Sequence, residues 1–233
     1  MWTILPAKNL CRAKQRLAGL LTPEERGGLF HAMLKDVLTV LCAHPAIEGV
    51  VVVSDDPAAR RLAEQYRAEF LDESGLSATG LNAVVQAAAH RLAERGIDEV
   101  MVIHGDLPLI NHAEITHLID THRSAPGPAL TLAPDRQREG TNCLICTPAS
   151  AIEFSYGASS LVKHARQAKK IGAAVHIVRL SGIGFDVDWP DDVLALIDQP
   201  ELGAGRHTVL YLKDSDIAAR AKTITCRSES IVA

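Results

Sequence analysis

The apolar residues Val100, Met101, Val102 and Ile103 run into His104 and stop at Gly105-Asp106-Leu107-Pro108. A short apolar run closed by Gly and Pro reads as a strand buried on both faces, the kind found inside a parallel sheet. An Asp just past the carboxyl end of such a strand sits where ligands bind in open α/β sheets. Asp106 is there either to cap the next helix or to hold a metal, and the local sequence allows both.

Strand patterns recur at residues 2–6, 50–53, 129–133, 143–147 and 175–180. Helical patterns lie between them. Thr22-Pro23-Glu24-Glu25 is a helix start with a cap, a proline at the first helical position and acids in the first turn. Leu29, Met33, Leu34, Val37, Leu38 and Leu41 then recur at helical spacing, so this helix lies against a core. Further helices are expected at 58–67, 81–95, 112–122, 161–171 and 190–197. Asp55 and Asp56 read as caps of the second helix, and Ser159 or Ser160 as the cap of the fifth. Regular alternation of strand and helix argues for an α/β fold, a doubly wound, mostly parallel sheet. Residues 1–202 are expected to form that domain, with 203–233 a tail of unassigned role: a linker at 203–206, then at most a short strand and a short helix.

Composition narrows the function classes. A chain of 233 residues with 47% hydrophobic content supports one large domain with a real core. Its 24 basic and 28 acidic residues leave no overall positive charge for nucleic acid. No apolar run approaches the ~18 residues that span a membrane, and the first residues do not read as a signal peptide. Five irregularly spaced cysteines suit a reducing cytoplasm. Cys143 and Cys146 match C-x-x-C, but a lone pair within a strand reads as two core cysteines. His112, His117 and His122 are five apart, where ligands on one helical face need about three or four, so they read as surface or partly buried side chains.

Four features fall at strand ends or helix starts. The loop after the first strand carries Lys8, Lys14 and Arg16, each able to neutralise a phosphate oxygen. Gly80-Leu81-Asn82 opens a helix with free backbone N–H groups. Asp106 follows the strand pattern at residues 100–103, and Asp186 and Asp188 alternate along an extended segment and so face the same side. Carboxylates from two separate places beside a cationic loop suit Mg²⁺ with a polyphosphate. The chemistry would be nucleotidyl transfer, with pyrophosphate leaving as an anion attacks the α-phosphorus. A Walker loop is absent, which argues against a P-loop kinase or GTPase.

The runs LPAKNLCRAKQRL, SATGLNAVV, HGDLPLI, REGTNCLIC, YGASSLVKHARQA and GFDVDWPDD occur in that order over about residues 1–198. Together they resemble the 2-phospho-L-lactate, phosphoenolpyruvate or 3-phospho-D-glycerate guanylyltransferases of coenzyme F-420 biosynthesis. The resemblance implies a nucleotidyltransferase sheet of the nucleotide-diphospho-sugar transferase type, related to the molybdenum-cofactor guanylyltransferases. It implies GTP phosphates on Lys8, Lys14 and Arg16, a nucleotide lined by Gly80, Leu81 and Asn82, and Mg²⁺ held by Asp106 and Asp188 with Asp186 nearby. It places the phosphorylated acid at Thr141, Gly157 and Ser160, supported by Asn142 and His164. Lys8, Lys14 and Asp106 would carry the catalysis. The expected acceptor is phosphoenolpyruvate first, then 3-phospho-D-glycerate or 2-phospho-L-lactate. The partners expected are GTP and that acid, with a homodimer and hand-over of product to the next enzyme left open. Ala158-Ser159 departs from the Pro-Gly pair more usual there. The competing readings are a sugar-nucleotide glycosyltransferase with an Asp-x-Asp metal site, and a non-catalytic nucleotide-binding regulatory module.

Overall fold

The computed structural model describes residues 1–7, 14–76, 78–199, 203–221 and 223. Its strands are β1 (Trp2–Pro6), β2 (Gly49–Ser54), β3 (Glu69–Asp72), β4 (Val100–Ile103), β5 (Ala129–Pro134), β6 (Thr141–Thr147) and β7 (Ala174–Ile177). Its helices are α1 (Pro23–Ala43), α2 (Pro57–Gln65), α3 (Leu81–Glu94), α4 (His112–Arg123), α5 (Ser160–Lys170), α6 (Pro190–Ile197) and α7 (Arg206–Lys213).

The strands form one sheet in the order β3-β2-β1-β4-β6-β5-β7. β6 runs antiparallel to both its neighbours, while the other pairings are parallel. After β1 the chain builds outward through β2 and β3, then returns to lay β4 on the other side of β1. The crevice beyond the carboxyl ends of β1 and β4 is therefore a topological switch point, the usual ligand position in this kind of sheet.

Alternate residues of the central strands enter two separate cores. Leu5, Met101, Ile103, Cys143 and Ile145 face α1, α2, α4, α6 and α7. Ile4, Val100, Val102, Leu144 and Cys146 face α3 and α5. The two cysteines of the C-x-x-C thus lie on opposite faces of the sheet, both buried. They are core residues, and burial pushes the Cys146 thiol up to about 12.

Local signals explain much of this. Thr22 and Glu25 form a complete capping box at the start of α1, and Asp56 caps α2 by accepting from the Ala58 N–H. Several features differ from the expectation, among them the start of β6 at Thr141 rather than at residue 143. β3 was not anticipated; it is a four-residue edge strand whose residues are all partly or fully exposed. β7 spans Ala174–Ile177, shorter than the 175–180 pattern at its carboxyl end. Neither serine caps α5: Ser159 adopts a left-handed backbone without a side-chain cap, and the Ser160 hydroxyl points elsewhere. His122 is fully inside rather than at the surface, its ring nitrogens bonded to Thr131 and Thr147.

Beyond residue 203, α7 packs on α1. Asp36 of α1 is 5% exposed and accepts from the N–H groups of His207 and Thr208 and from the Thr208 hydroxyl. Those bonds satisfy the first N–H groups of α7, which has no side-chain cap of its own. Among the described residues, no helix is long and apolar enough to cross a membrane.

Candidate active site

Asn111, not Asp106, caps the helix that follows β4: its side chain accepts from the Glu114 N–H. Asp106 is thereby free of capping duty and turns into the crevice at the switch point. Its partner there is the Lys14 ammonium, which comes from the loop after β1 and bonds Asp106 and, at 2.7 Å, Asp188. Arg16 reaches the other oxygen of Asp188 at 3.1 Å and lies over the Trp189 ring. Residues remote in sequence thus meet in one charged cluster. Lys8 lies outside the described residues.

The electrostatics follow from burial and charge. Burial works against charge on Lys14, but the carboxylates of Asp106 and Asp188 outweigh it and hold the ammonium above its ordinary value. Burial also pushes Asp106 up, and Lys14, followed by His104, brings its carboxyl below the usual range. Asp186 is raised, first by burial and then by the negative charge of Asp106 and Asp188. The cluster is therefore short of positive charge at Asp186 even with Lys14 in place.

The segment carrying Asp186 and Asp188 is fixed at both ends. Upstream, the Glu114 carboxylate accepts from the N–H groups of Gly182 and Ile183. Gly182 sits so close to the Leu109 carbonyl that a Cβ would fall 2.2 Å from its oxygen, so only glycine fits. Midway, the Val187 N–H bonds the Asp106 carbonyl. Asn142 donates to the Ile183 carbonyl at 3.0 Å and reaches Asp186 at 3.5 Å.

Beside the acids, Thr141 at the start of β6 meets α5. The Ser155 backbone N–H donates to His164 Nε2, so this ring nitrogen carries no proton and Nδ1 does. Nδ1 faces Thr141 Oγ1 at 3.2 Å, and the Ser160 hydroxyl also donates to that oxygen. With two donors upon it, the Thr141 hydroxyl has its own proton left to give into the cavity it lines. Burial pushes His164 down to about 4, which keeps this chain of bonds neutral.

A cavity of about 210 Å³ is lined by Leu81, His104, Asp106, Gly140, Thr141, Asn142, Tyr156, Gly157, Ser160, Asp186 and Asp188. It shares Gly140, Gly157, Asp186 and Asp188 with a larger neighbour of about 470 Å³ that Arg16, Arg136 and Trp189 also line. Asn82 stands at the edge of this arrangement: its amide clamps the backbone of Tyr156, accepting from the N–H at 2.7 Å and donating to the carbonyl at 3.3 Å. Gly80 precedes it with φ at 85°, a left-handed value that suits glycine and leaves α3 without a side-chain cap.

Sequence reasoning passed over His104, Tyr156, Arg136 and Asp192. His104 is the polar residue closing the β4 run, stacked edge-on against Tyr156, and that break in an apolar strand was its available signal. Arg136 and Asp192 pair across 56 positions, which no local pattern reports.

A divalent cation fits the donor set in one specific way. Among the described residues, no three His, Cys, Asp or Glu side chains converge closely enough to hold a metal by themselves. Asp106 and Asp188 do share one cation, the Lys14 ammonium. Two carboxylates completed by substrate phosphates are the usual protein share of a Mg²⁺ site.

The family model described as "Guanylyl transferase CofC like" matches residues 1–231. A phosphoenolpyruvate guanylyltransferase of Conexibacter woesei is 37% identical over 195 residues, 84% of this chain and 86% of that protein. A 2-phospho-L-lactate guanylyltransferase of Methanothermobacter thermautotrophicus is 32% identical over 210 residues, 90% of this chain and 88% of that protein. Among solved structures, one described as a nucleotide-diphospho-sugar transferase from Desulfovibrio desulfuricans G20 superposes with a TM-score of 0.74 at 14% identity, covering 95% of this chain and 96% of that one. Glucosyl-3-phosphoglycerate synthase from Mycobacterium tuberculosis, solved with Mn²⁺, uridine-diphosphate and glucosyl-3-phosphoglycerate, gives 0.57 at 12% identity over 91% of this chain and 78% of that one. The sheet is thus of the nucleotide-diphospho-sugar transferase type, and the chain belongs to the CofC-like guanylyl transferase family.

Proposed function

We propose that this protein transfers GMP from GTP to the phosphate of a phosphorylated three-carbon acid, releasing pyrophosphate, as a step of coenzyme F-420 biosynthesis. The observation that carries the reading is the junction at Asp186 and Asp188. There the Lys14–Asp106–Asp188 cluster meets the neutral Thr141–Ser160–His164 pocket in one cavity. One half suits a triphosphate and the other an acid with its own phosphate. Phosphoenolpyruvate ranks first as acceptor and 3-phospho-D-glycerate or 2-phospho-L-lactate next; the relatives' names support the first and the last of these.

In this reading Asp106 and Asp188 hold Mg²⁺ with Asp186 beside them, and the ion when bound neutralises charge on the phosphoryl oxygens. Lys14 and Arg16 bind the triphosphate, as the family resemblance also implies for Lys8, and Gly80 with the start of α3 through Asn82 flanks the nucleotide. Thr141, Gly157 and Ser160 seat the acid, with the Thr141 hydroxyl donating to one of its oxygens. Asn142 and His164 hold that pocket in shape. An acceptor phosphate oxygen attacks the α-phosphorus and forms the new P–O bond. The bond to the bridging oxygen of the β-phosphate breaks, and its electron pair leaves with pyrophosphate. Cations around the triphosphate lower the barrier by stabilising that leaving charge. Incubation with GTP, Mg²⁺ and each acid in turn tests the reading. The expected result is a diphosphate-linked guanosine product and pyrophosphate with at least one acid. Nucleotide binding without product from all three would overturn it.

A further inference from the structure

Asp192 is 4% exposed, and its carboxylate joins the backbone of the acid-bearing segment to Arg136. One carboxylate oxygen accepts from the N–H of Asp188 at 2.8 Å and of Trp189 at 2.7 Å. The other takes the guanidinium of Arg136, which also donates to the Asp186 carbonyl at 3.3 Å and lies over the Phe185 ring. Arg136 belongs to the turn between β5 and β6, the turn that delivers Gly140 and Thr141. That turn is itself stiffened by Asp135, which accepts from the N–H groups of Glu139 and Gly140. One charged pair therefore grips the backbone at Asp186, Asp188 and Trp189 and ties it to the acceptor-side turn.

We infer that Arg136 and Asp192 are positioning residues that lock Asp186 and Asp188 in place for the cation and couple that placement to the acceptor turn. The inference rests on the reading that these acids face a divalent ion. Neither side chain needs to touch the ion. A carboxylate whose backbone is held by two N–H bonds and a charged pair loses little freedom on binding, whereas a loosened segment must be ordered each time.

The test uses the full chain and Mn²⁺ as probe, read by electron paramagnetic resonance without nucleotide, beside steady-state kinetics. Arg136→Ala and Asp192→Asn are each expected to weaken Mn²⁺ binding about tenfold and to lower kcat, with the KM for GTP changed less than twofold. The double variant should be no worse than either single one, because the pair acts as a unit. Arg136→Lys, which keeps the charge and one donor, should recover part of both losses. Should Arg136→Ala fail to fold, Arg136→Lys and Asp192→Asn carry the comparison. Unchanged Mn²⁺ affinity with a raised acceptor KM would make Arg136 a substrate contact instead. Lowered thermal stability with unchanged Mn²⁺ affinity would make the pair merely structural. Either outcome overturns the inference. Absence of guanylyl transfer in the wild-type protein bears on the function proposed above and leaves the Mn²⁺ comparison readable.

Discussion

Replacing Lys14 by methionine removes the ammonium from between Asp106 and Asp188 while keeping most of its length. The Lys14 side chain is 5% exposed, Asp106 20% and Asp188 35%. Removing one partner from a buried ion pair costs about 3–5 kcal/mol. Water at Asp188 screens the interaction, so about 1–2 kcal/mol is the working figure here. A divalent ion that needs both carboxylates must displace the ammonium in the wild-type protein, and in Lys14→Met it need not. Mn²⁺ measured calorimetrically without nucleotide should therefore bind about tenfold tighter to the variant, since about 1.4 kcal/mol is a factor of ten. The metal-free variant should be less stable by the same order, and saturating Mn²⁺ should restore it. Guanylyl transfer should nonetheless fall by at least a hundredfold, roughly what loss of one charge-stabilising group costs, because in the proposed reading that ammonium binds the triphosphate. Equal or weaker Mn²⁺ affinity in the variant would refute the idea that lysine and metal compete for the same two carboxylates.

Other outcomes follow from the same geometry. Asp106→Ala should fold, since Asn111 and not Asp106 caps α4, yet lose turnover in the GTP assay; circular dichroism separates the two. Ser160→Ala removes one donor to Thr141 and should raise the KM for the acid about fivefold, the worth of a bond of about 1 kcal/mol, with the KM for GTP unmoved. Burial pushes both His122 and His164 down to about 4. Between pH 6.5 and 4 the unfolded chain takes up protons on these rings that the folded chain refuses. Their contribution is thus complete above pH 6.5 and declines as pH falls, by about 3 kcal/mol each at the limit. Nuclear magnetic resonance should find both imidazoles still neutral at pH 5; protonation of either ring near pH 6.5 would contradict the assignment. Thr208→Val removes the hydroxyl bond to buried Asp36 and should cost about 1–3 kcal/mol in urea unfolding while leaving kcat intact.

What could be read from the residues alone depended on how far each partner lies along the chain. The Thr22–Glu25 box and the Asp56 cap are contained within a few residues, and their types announce them. The buried strands around Val50 and Val100 are equally local. Asp106 could not be decided locally, because the residue that relieves it of capping, Asn111, and the one that pairs with it, Lys14, stand on either side at unequal range. Ser160 looked like a cap because serine before a helix usually is one. Its hydroxyl instead supports Thr141, a partner set by the packing of α5 on β6. β3 escaped because Glu69 and Asp72 flank Phe70 and Leu71 on an edge strand, which leaves neither an apolar run nor a clean alternation. α7 was read only as a short helix in the tail, and its anchor, Asp36, hides among the apolar positions of α1.

β6 runs against the direction of the rest of the sheet, and so Thr141 and Asn142 reach the crevice from the beginning of a strand while Ile103 and Pro6 reach it from the end. The Thr141 side of the cavity consequently hangs in part on a hairpin of adjacent strands, closed by the turn at 135–140, with α5 laid against it to bring Ser160 and His164. The Lys14–Asp106 side is built at the ends of β1 and β4, which are joined through three helices and nearly a hundred residues. Changes in that turn therefore spare the parallel strands but reach Asp186 and Asp188 through Arg136, whereas moving Lys14 relative to Asp106 would disturb β1 and β4 together. In the proposed reading the acid is thus met by a hairpin built locally, and the triphosphate by strands joined only through long crossovers.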